Sequence, residues 1–141
     1  LARVFVLDTS VLISASLING SIGRKAFVRA LVLGTIAASE ETLGEFQSKL
    51  LNKKFDKYFG SRERLAAVEE VRQNSRLITG VVTIAACRDP DDDKFLSLAD
   101  TVHADCIISH DKDLLIMNPF KGIPIVTPSQ FLDMYPGVTT I

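Results

Sequence analysis

Val4, Phe5, Val6 and Leu7 form an unbroken apolar run that ends at Asp8, Thr9 and Ser10. Such a run suits a strand covered on both faces better than one alternating between core and solvent. The period then changes. A helix is expected from about Val11, Gly20 to Gly23 breaks the chain, and Lys25 to Leu33 reads as a second helix ending at Gly34. Thr35 to Ala38 is a short strand. Ser39 can cap a third helix, whose Leu43, Phe46 and Leu50 recur at helical spacing with Glu40 and Glu41 in its positive first turn. Beyond Gly60, Ser61 opens a helix carrying Leu65, Val68 and Val71 on one face, and Leu77 to Ile84 is β-prone with a break at Gly80.

The next helix start is written more fully. Asp89 can serve as N-cap and Pro90 as the first helical residue, ahead of an apolar face of Phe95, Leu96, Leu98, Ala99 and Val102. Cys106 to Ser109 is then a strand and Ile123 to Val126 another, before Thr127-Pro128-Ser129-Gln130 combines a capping box with a proline at N1 to begin a last short helix. Strands alternating with helices place the chain in the α/β class and predict a three-layer α/β/α sandwich around a central, mostly parallel sheet.

Composition narrows the function classes. With 141 residues, 47% of them apolar, and no repeat or linker, one domain over residues 1–141 is expected. No apolar run approaches the roughly 18 residues needed to span a bilayer, so neither a signal peptide nor a membrane segment is expected. Cys87 and Cys106 lack a C-x-x-C pair or a histidine at zinc-ligand spacing, which fits reduced thiols in a cytoplasmic protein. The net charge of −1 is not that of a protein binding nucleic acid by bulk charge. A local patch is present, however. Between residues 49 and 64, Lys49, Lys53, Lys54, Lys57, Arg62 and Arg64 stand against Asp56 and Glu63, six bases against two acids, a net of +4 that leaves −5 elsewhere.

The candidate chemistry is acidic. In an open parallel sheet, ligands collect at the carboxyl ends of the strands. Asp8 ends the first strand, and Asp111 follows Cys106 to Ser109 after His110 alone. Carboxylates gathered at one place raise one another's pKa, and a hard divalent cation such as Mg²⁺ or Mn²⁺ relieves that cost. The alternative for Asp8 is a helix N-cap, which Ser10 could supply equally well. Asp91, Asp92 and Asp93 would each favour the first turn of a helix in any case. At 100° per residue the apolar face centres about 50° from Asp91 and Asp92 but about 150° from Asp93. Asp93 should therefore face solvent, and periodicity leaves Asp91 and Asp92 open. Glu41 and Glu45 lie on the polar side of the third helix. Thr9, Ser10 and Ser109 stand beside the strand-end acids and could orient a carboxylate by hydrogen bonding. His103 and His110 lack a partner at helical ligand spacing, and Gly20-Ser21-Ile22-Gly23-Arg24-Lys25 lacks the spacing of a nucleotide-binding loop.

Val6-Leu7-Asp8-Thr9-Ser10-Val11-Leu12 resembles the opening motif of the PIN-domain family, in which a strand-end aspartate precedes Thr and Ser or Asn. Ser39 to Glu45, Asp89 to Ala99, and Ile107 to Leu115 resemble its second, third and fourth blocks in order, over essentially the whole chain. His110 departs from the small or basic residue usual at that turn. The resemblance, to stand-alone prokaryotic PIN nucleases related to VapC toxins, implies four metal-holding acids at Asp8, Glu45, Asp92 and Asp111, with Asp113 as an auxiliary ligand. It further implies a Mg²⁺- or Mn²⁺-dependent endoribonuclease acting on single-stranded RNA, with an antitoxin protein and a homodimer among its partners. Arg24, Lys25, Lys49, Lys53, Lys54 and Lys57 are the candidates for gripping the RNA backbone. Two rivals remain: a catalytically idle PIN-fold binding module, and an aspartate-based Mg²⁺-dependent phosphatase, which usually needs a second aspartate where Ser10 stands.

Overall fold

The computed structural model of the protein describes residues 2–136. Its five strands form one sheet in the order β3-β2-β1-β4-β5, every pairing parallel: β1 Arg3–Leu7, β2 Gly34–Ala38, β3 Ser75–Leu77, β4 Cys106–Ile108 and β5 Ile125–Val126. The helices are α1 Thr9–Leu17, α2 Ile22–Leu33, α3 Glu40–Leu50, α4 Ser61–Asn74, α5 Asp93–Val102, α6 Lys112–Leu115 and α7 Pro128–Met134. The expected three-layer sandwich is the observed fold, and the sheet is parallel throughout. Phe5, Leu7, Ile36, Ala38, Cys106 and Ile108 point into a core shared with α1 to α4 and α7. Val6, Ala37, Ile107 and Ile125 point the other way, against α5 and α6. Both faces of β1 are thus covered, which is why its apolar run does not alternate.

The strand order reverses at β1. β2 and β3 lie to one side of it, β4 and β5 to the other, so β1 and β4 separate at their carboxyl ends into the crevice where open α/β sheets take ligands. Register fixes what lies there. Val6 pairs with Ile107 and Leu7 with Ile108, and the Asp8 N–H donates to the Ile108 carbonyl at 3.0 Å.

Several expectations are corrected. The first helix begins at Thr9 rather than near Val11, because Asp8 itself is its N-cap. The second begins at Ile22, capped by Ser21, so Gly23 lies inside it; a Cβ there would come within 2.8 Å of Ser14 Oγ, making this glycine a packing residue between α1 and α2 rather than a break. Gly34 ends α2 as expected, as its C-cap with its N–H donating to the Ala30 carbonyl, and is at the same time the first residue of β2. A Cβ would lie 2.0 Å from the Arg3 carbonyl oxygen, and only glycine permits that approach. On α4 the buried face carries Arg64, Ala67, Val68 and Val71, whereas Leu65 is 55% exposed. Arg64 is 5% exposed; it pairs with Asp56 at 2.7 Å and donates to the Leu50 and Asn52 carbonyls.

The segment read as a strand over Leu77 to Ile84 pairs only through Leu77, with Ile78 N donating to the last β2 carbonyl, Ala38. β2 offers nothing further to pair with. Residues 82–87 instead run as a strap along α5. Val82 N donates to Thr101 Oγ1, Ile84 N to Ser97 Oγ, and both Ala86 N and Cys87 N to Asp93 Oδ1. The spacings match: four helical residues rise about 6.0 Å and two extended residues about 6.6 Å. Side chains at Asp93, Ser97 and Thr101 thereby do what a neighbouring strand would have done.

Candidate active site

Asp8 is 3% exposed. Its Oδ1 accepts from Val11 N at 2.9 Å and Ser10 Oγ at 3.0 Å, and its Oδ2 accepts from Ser109 Oγ. Burial pushes its pKa up, and these hydrogen bonds recover only part of the shift. Ser109, which follows β4, is fully buried and in turn accepts from Asp111 N at 2.8 Å. One hydroxyl therefore ties the two strand-end acids together. Asp111 caps α6, accepting from Asp113 N at 2.8 Å.

Asp92 reaches the same place from the other layer. It ends a 3-10 turn, Pro90–Asp92, whose N-cap is Asp89, and α5 proper starts only at Asp93. Asp93 does lie away from the apolar face of α5, with Ser97 and Thr101, but the strap covers that side: its carboxylate is half-buried and holds the strap rather than facing solvent. Asp92 is 6% exposed and its Oδ2 has no hydrogen-bond partner among the described residues. Burial, then the adjacent Asp111, then Asp89 and Glu45, push its pKa up to about 7. Asp91 is exposed and lines a different cleft, whereas Asp92 faces the cavity that Asp8 and Asp111 line.

Glu45 comes from α3. Its Oε1 lies 2.9 Å from Lys49 Nζ and its Oε2 accepts from Lys94 Nζ. Burial opposes its charge, but the two lysines outweigh burial and hold its pKa below the ordinary value. Asp8, Glu45, Asp92 and Asp111 line one small cavity of about 60 Å³ together with Thr9, Ser10, Lys49 and Phe95. Four acids from four parts of the chain thus line one cavity. A wider cleft of about 300 Å³ is lined in part by Glu41, Thr83, Ile84, Asp91 and Lys94, the lysine that bonds Glu45.

Asp113 does not line the small cavity. Arg88 pairs with it, and one oxygen each of Asp89, Asp92 and Asp113 lie within 4.8 Å of one another on its flank. Of the candidate RNA-gripping bases, Lys49 is at the cavity and Lys53, Lys54 and Lys57 are exposed just beyond α3, as is Lys25 on α2. Arg24 is not free: it forms a two-pronged pair with Glu70, at 2.7 and 3.0 Å. Lys94 and Phe95 were missed by sequence reasoning as site residues. The only trace of Lys94 is its place directly after three aspartates.

The donor set suits a hard divalent cation. It consists of carboxylate oxygens without thiol or imidazole, one acid carries an unpartnered buried oxygen, and the acid whose pKa is pushed up to about 7 is the one that a cation would relieve most.

Residues 4–113 match a family model described as PIN domain. An uncharacterised protein of Methanocaldococcus jannaschii is 32% identical over 143 residues, covering 92% of this chain and 90% of that one. Among solved structures, VapBC2 from Rickettsia felis bound to a DNA fragment from their promoter superposes with a TM-score of 0.61 at 12% identity, covering 87% of this chain and 97% of that one. PAE2754 from Pyrobaculum aerophilum does so with a TM-score of 0.59 at 13% identity, covering 95% and 98%. At these identities the two structures show the shared fold.

Proposed function

The chain belongs to the PIN-domain family, a family of nucleases, and we propose that it is a Mg²⁺- or Mn²⁺-dependent endoribonuclease cleaving single-stranded RNA, the toxin member of a toxin–antitoxin pair. The observation that carries this reading is Asp92: a nearly buried carboxylate with an unpartnered oxygen, beside Asp111, in a cavity that Asp8 and Glu45 also line. Such an arrangement is costly without a positive charge at its centre.

Asp8, Glu45, Asp92 and Asp111 are the residues that would hold the cation. Held there, a divalent ion would supply Lewis acidity for the attack of water on a phosphodiester and for the charge on the leaving 3′ oxygen. The protein's own contribution is preorganisation. Ser10, Ser109 and the Val11 N–H fix the rotamer of Asp8, the N-cap bond fixes Asp111, and the strap held by Asp93 fixes the approach to Asp89. Phe95 closes the floor of the cavity against bulk water. RNA must reach an acidic centre, so cations flank it: Lys49 at the mouth, then Lys53, Lys54 and Lys57 along the following turn. The antitoxin assignment draws on the likeness to VapBC2 and on the family resemblance of the four motif blocks.

The deciding assay uses single-stranded RNA with Mn²⁺, with chelator, and with Asp8→Asn. Cleavage into products bearing 5′ phosphates, abolished by chelator and by the variant, supports the reading. Activity indifferent to both sinks it.

A further inference from the structure

Glu45 is the one acid of the cavity engaged by an ammonium group on each oxygen, and the two lysines differ in kind. Lys49 lies one turn along the same helix and its side chain is mostly exposed. Lys94 crosses from α5, 49 residues away, with its side chain 19% exposed. It donates a second hydrogen bond to the Asp91 carbonyl and lies 5.5 Å from the centre of the Phe95 ring. A largely desolvated ammonium with three fixed neighbours is part of the site's construction rather than a solvated surface charge.

The charges can be counted. Four carboxylates line the cavity; Lys49 and Lys94 offset two of them, leaving two negative charges, the number that a single divalent ion balances. On the flank Arg88 offsets Asp113, and Asp89 remains at the exposed rim. A two-metal centre places its ions about 3.5–4 Å apart, and a fixed ammonium on Glu45 opposes a second ion on that acid by like-charge repulsion.

We propose that Lys94 is a built-in cation of this centre: it holds Glu45 in place and occupies the electrostatic role of a second metal, so that the four carboxylates take up one divalent ion rather than two. Lys94 is on this account a positioning residue that acts through Glu45. The inference rests on the reading of the cavity as a metal centre, and the experiment separates the two.

Mn²⁺ uptake by the full chain is counted by calorimetry and by loss of the free-ion electron paramagnetic resonance signal, for the parent, Lys94→Arg and Lys94→Met. The expected counts are one ion for the parent, one for Lys94→Arg, which keeps the charge, and two for Lys94→Met. A parent that binds two ions overturns the inference while leaving the metal reading intact. A folded Lys94→Met that binds one ion, or none, also overturns it, because Lys94 is then not a counter-ion. A parent that binds none removes the metal reading itself and the inference with it. Should Lys94→Met fail to fold, the parent count decides: one supports, two refutes.

Discussion

The Ser109 hydroxyl donates to Asp8 across 101 positions of sequence, and the same oxygen accepts the Asp111 N–H. It is the hinge pin of the site, because it couples the end of β1 to the turn after β4. Ser109→Ala leaves an Asp8 oxygen and the Asp111 N–H without their partner in a fully buried place. The expected loss is about 1–3 kcal/mol of stability and, because groups that hydrogen-bond to metal ligands also orient them, roughly 10–100-fold in Mn²⁺ affinity. Urea denaturation and calorimetry measure both. A variant within about twofold of the parent in affinity, well inside that range, would show that Asp8 is oriented by Ser10 and Val11 alone.

The Asp92 carboxyl predicts a pH dependence of the metal-free protein. Its folded pKa of about 7 lies above the ordinary carboxylate value, so between roughly pH 4 and pH 7 the folded chain holds a proton that the unfolded chain has lost. Stability from this group is fully present below that window and lost as pH rises through 7; Asp8, also raised, acts in the same direction. The expected fall is about 1–2 kcal/mol once solvent screening is allowed for, several degrees in Tm between pH 5 and 8 in chelator, and smaller in Asp92→Asn, where Asp8 alone remains. Mn²⁺ should release a proton on binding at pH 6 but much less at pH 8, which calorimetry in buffers of different ionisation heat detects. A parent whose Tm rises over that interval in chelator, relative to Asp92→Asn, contradicts the assignment.

What was legible in the sequence follows physical range. β1 is written as a both-faces apolar run, and the caps at Ser39, Asp89 and Thr127 are local chemistry, each found where expected. Asp8 and Asp111 were readable because strand ends are. Asp92 was half readable: the wheel assumed an α-helix from Pro90, whereas Pro90 to Asp92 form a 3-10 turn, and Asp93 escapes solvent because the strap packs on the side of α5 that the wheel left open. The roles of Lys94 and Arg64 were not readable, since their partners Glu45 and Asp56 are set by packing of helices rather than by spacing. The strap escaped for a related reason. β propensity says that a segment prefers extended backbone, but not whether a strand is there to receive its hydrogen bonds.

That strap gives a prediction confined to one side chain. Ser97 is buried, accepts from Ile84 N and donates to the Asp93 carbonyl one turn back, so Ser97→Ala should cost about 0.5–1.5 kcal/mol and speed amide hydrogen exchange at Ile84 and its neighbours while leaving β1 protected. Unchanged exchange over residues 82–87 would mean that Asp93 and Thr101 suffice to hold the segment.

The bases beyond α3 are expected to separate by burial. Lys53, Lys54 and Lys57 are exposed with no ion-pair partner among the described residues, whereas Arg64 is committed to Asp56 and two carbonyls and cannot reach an RNA backbone. Replacing the three lysines by glutamine should weaken binding of single-stranded RNA to a cleavage-inactive Asp8→Asn protein, with a shallower dependence on salt. Each phosphate no longer neutralised should remove about 0.7 from the slope of log K against log salt, so three of them would flatten it by about 2. Arg64→Met should instead lower stability, because Asp56 loses its partner and two main-chain carbonyls lose a donor, and should leave the salt slope of the folded fraction unchanged. An unaltered slope in the triple variant would move the RNA track away from this turn, towards Lys25 on α2.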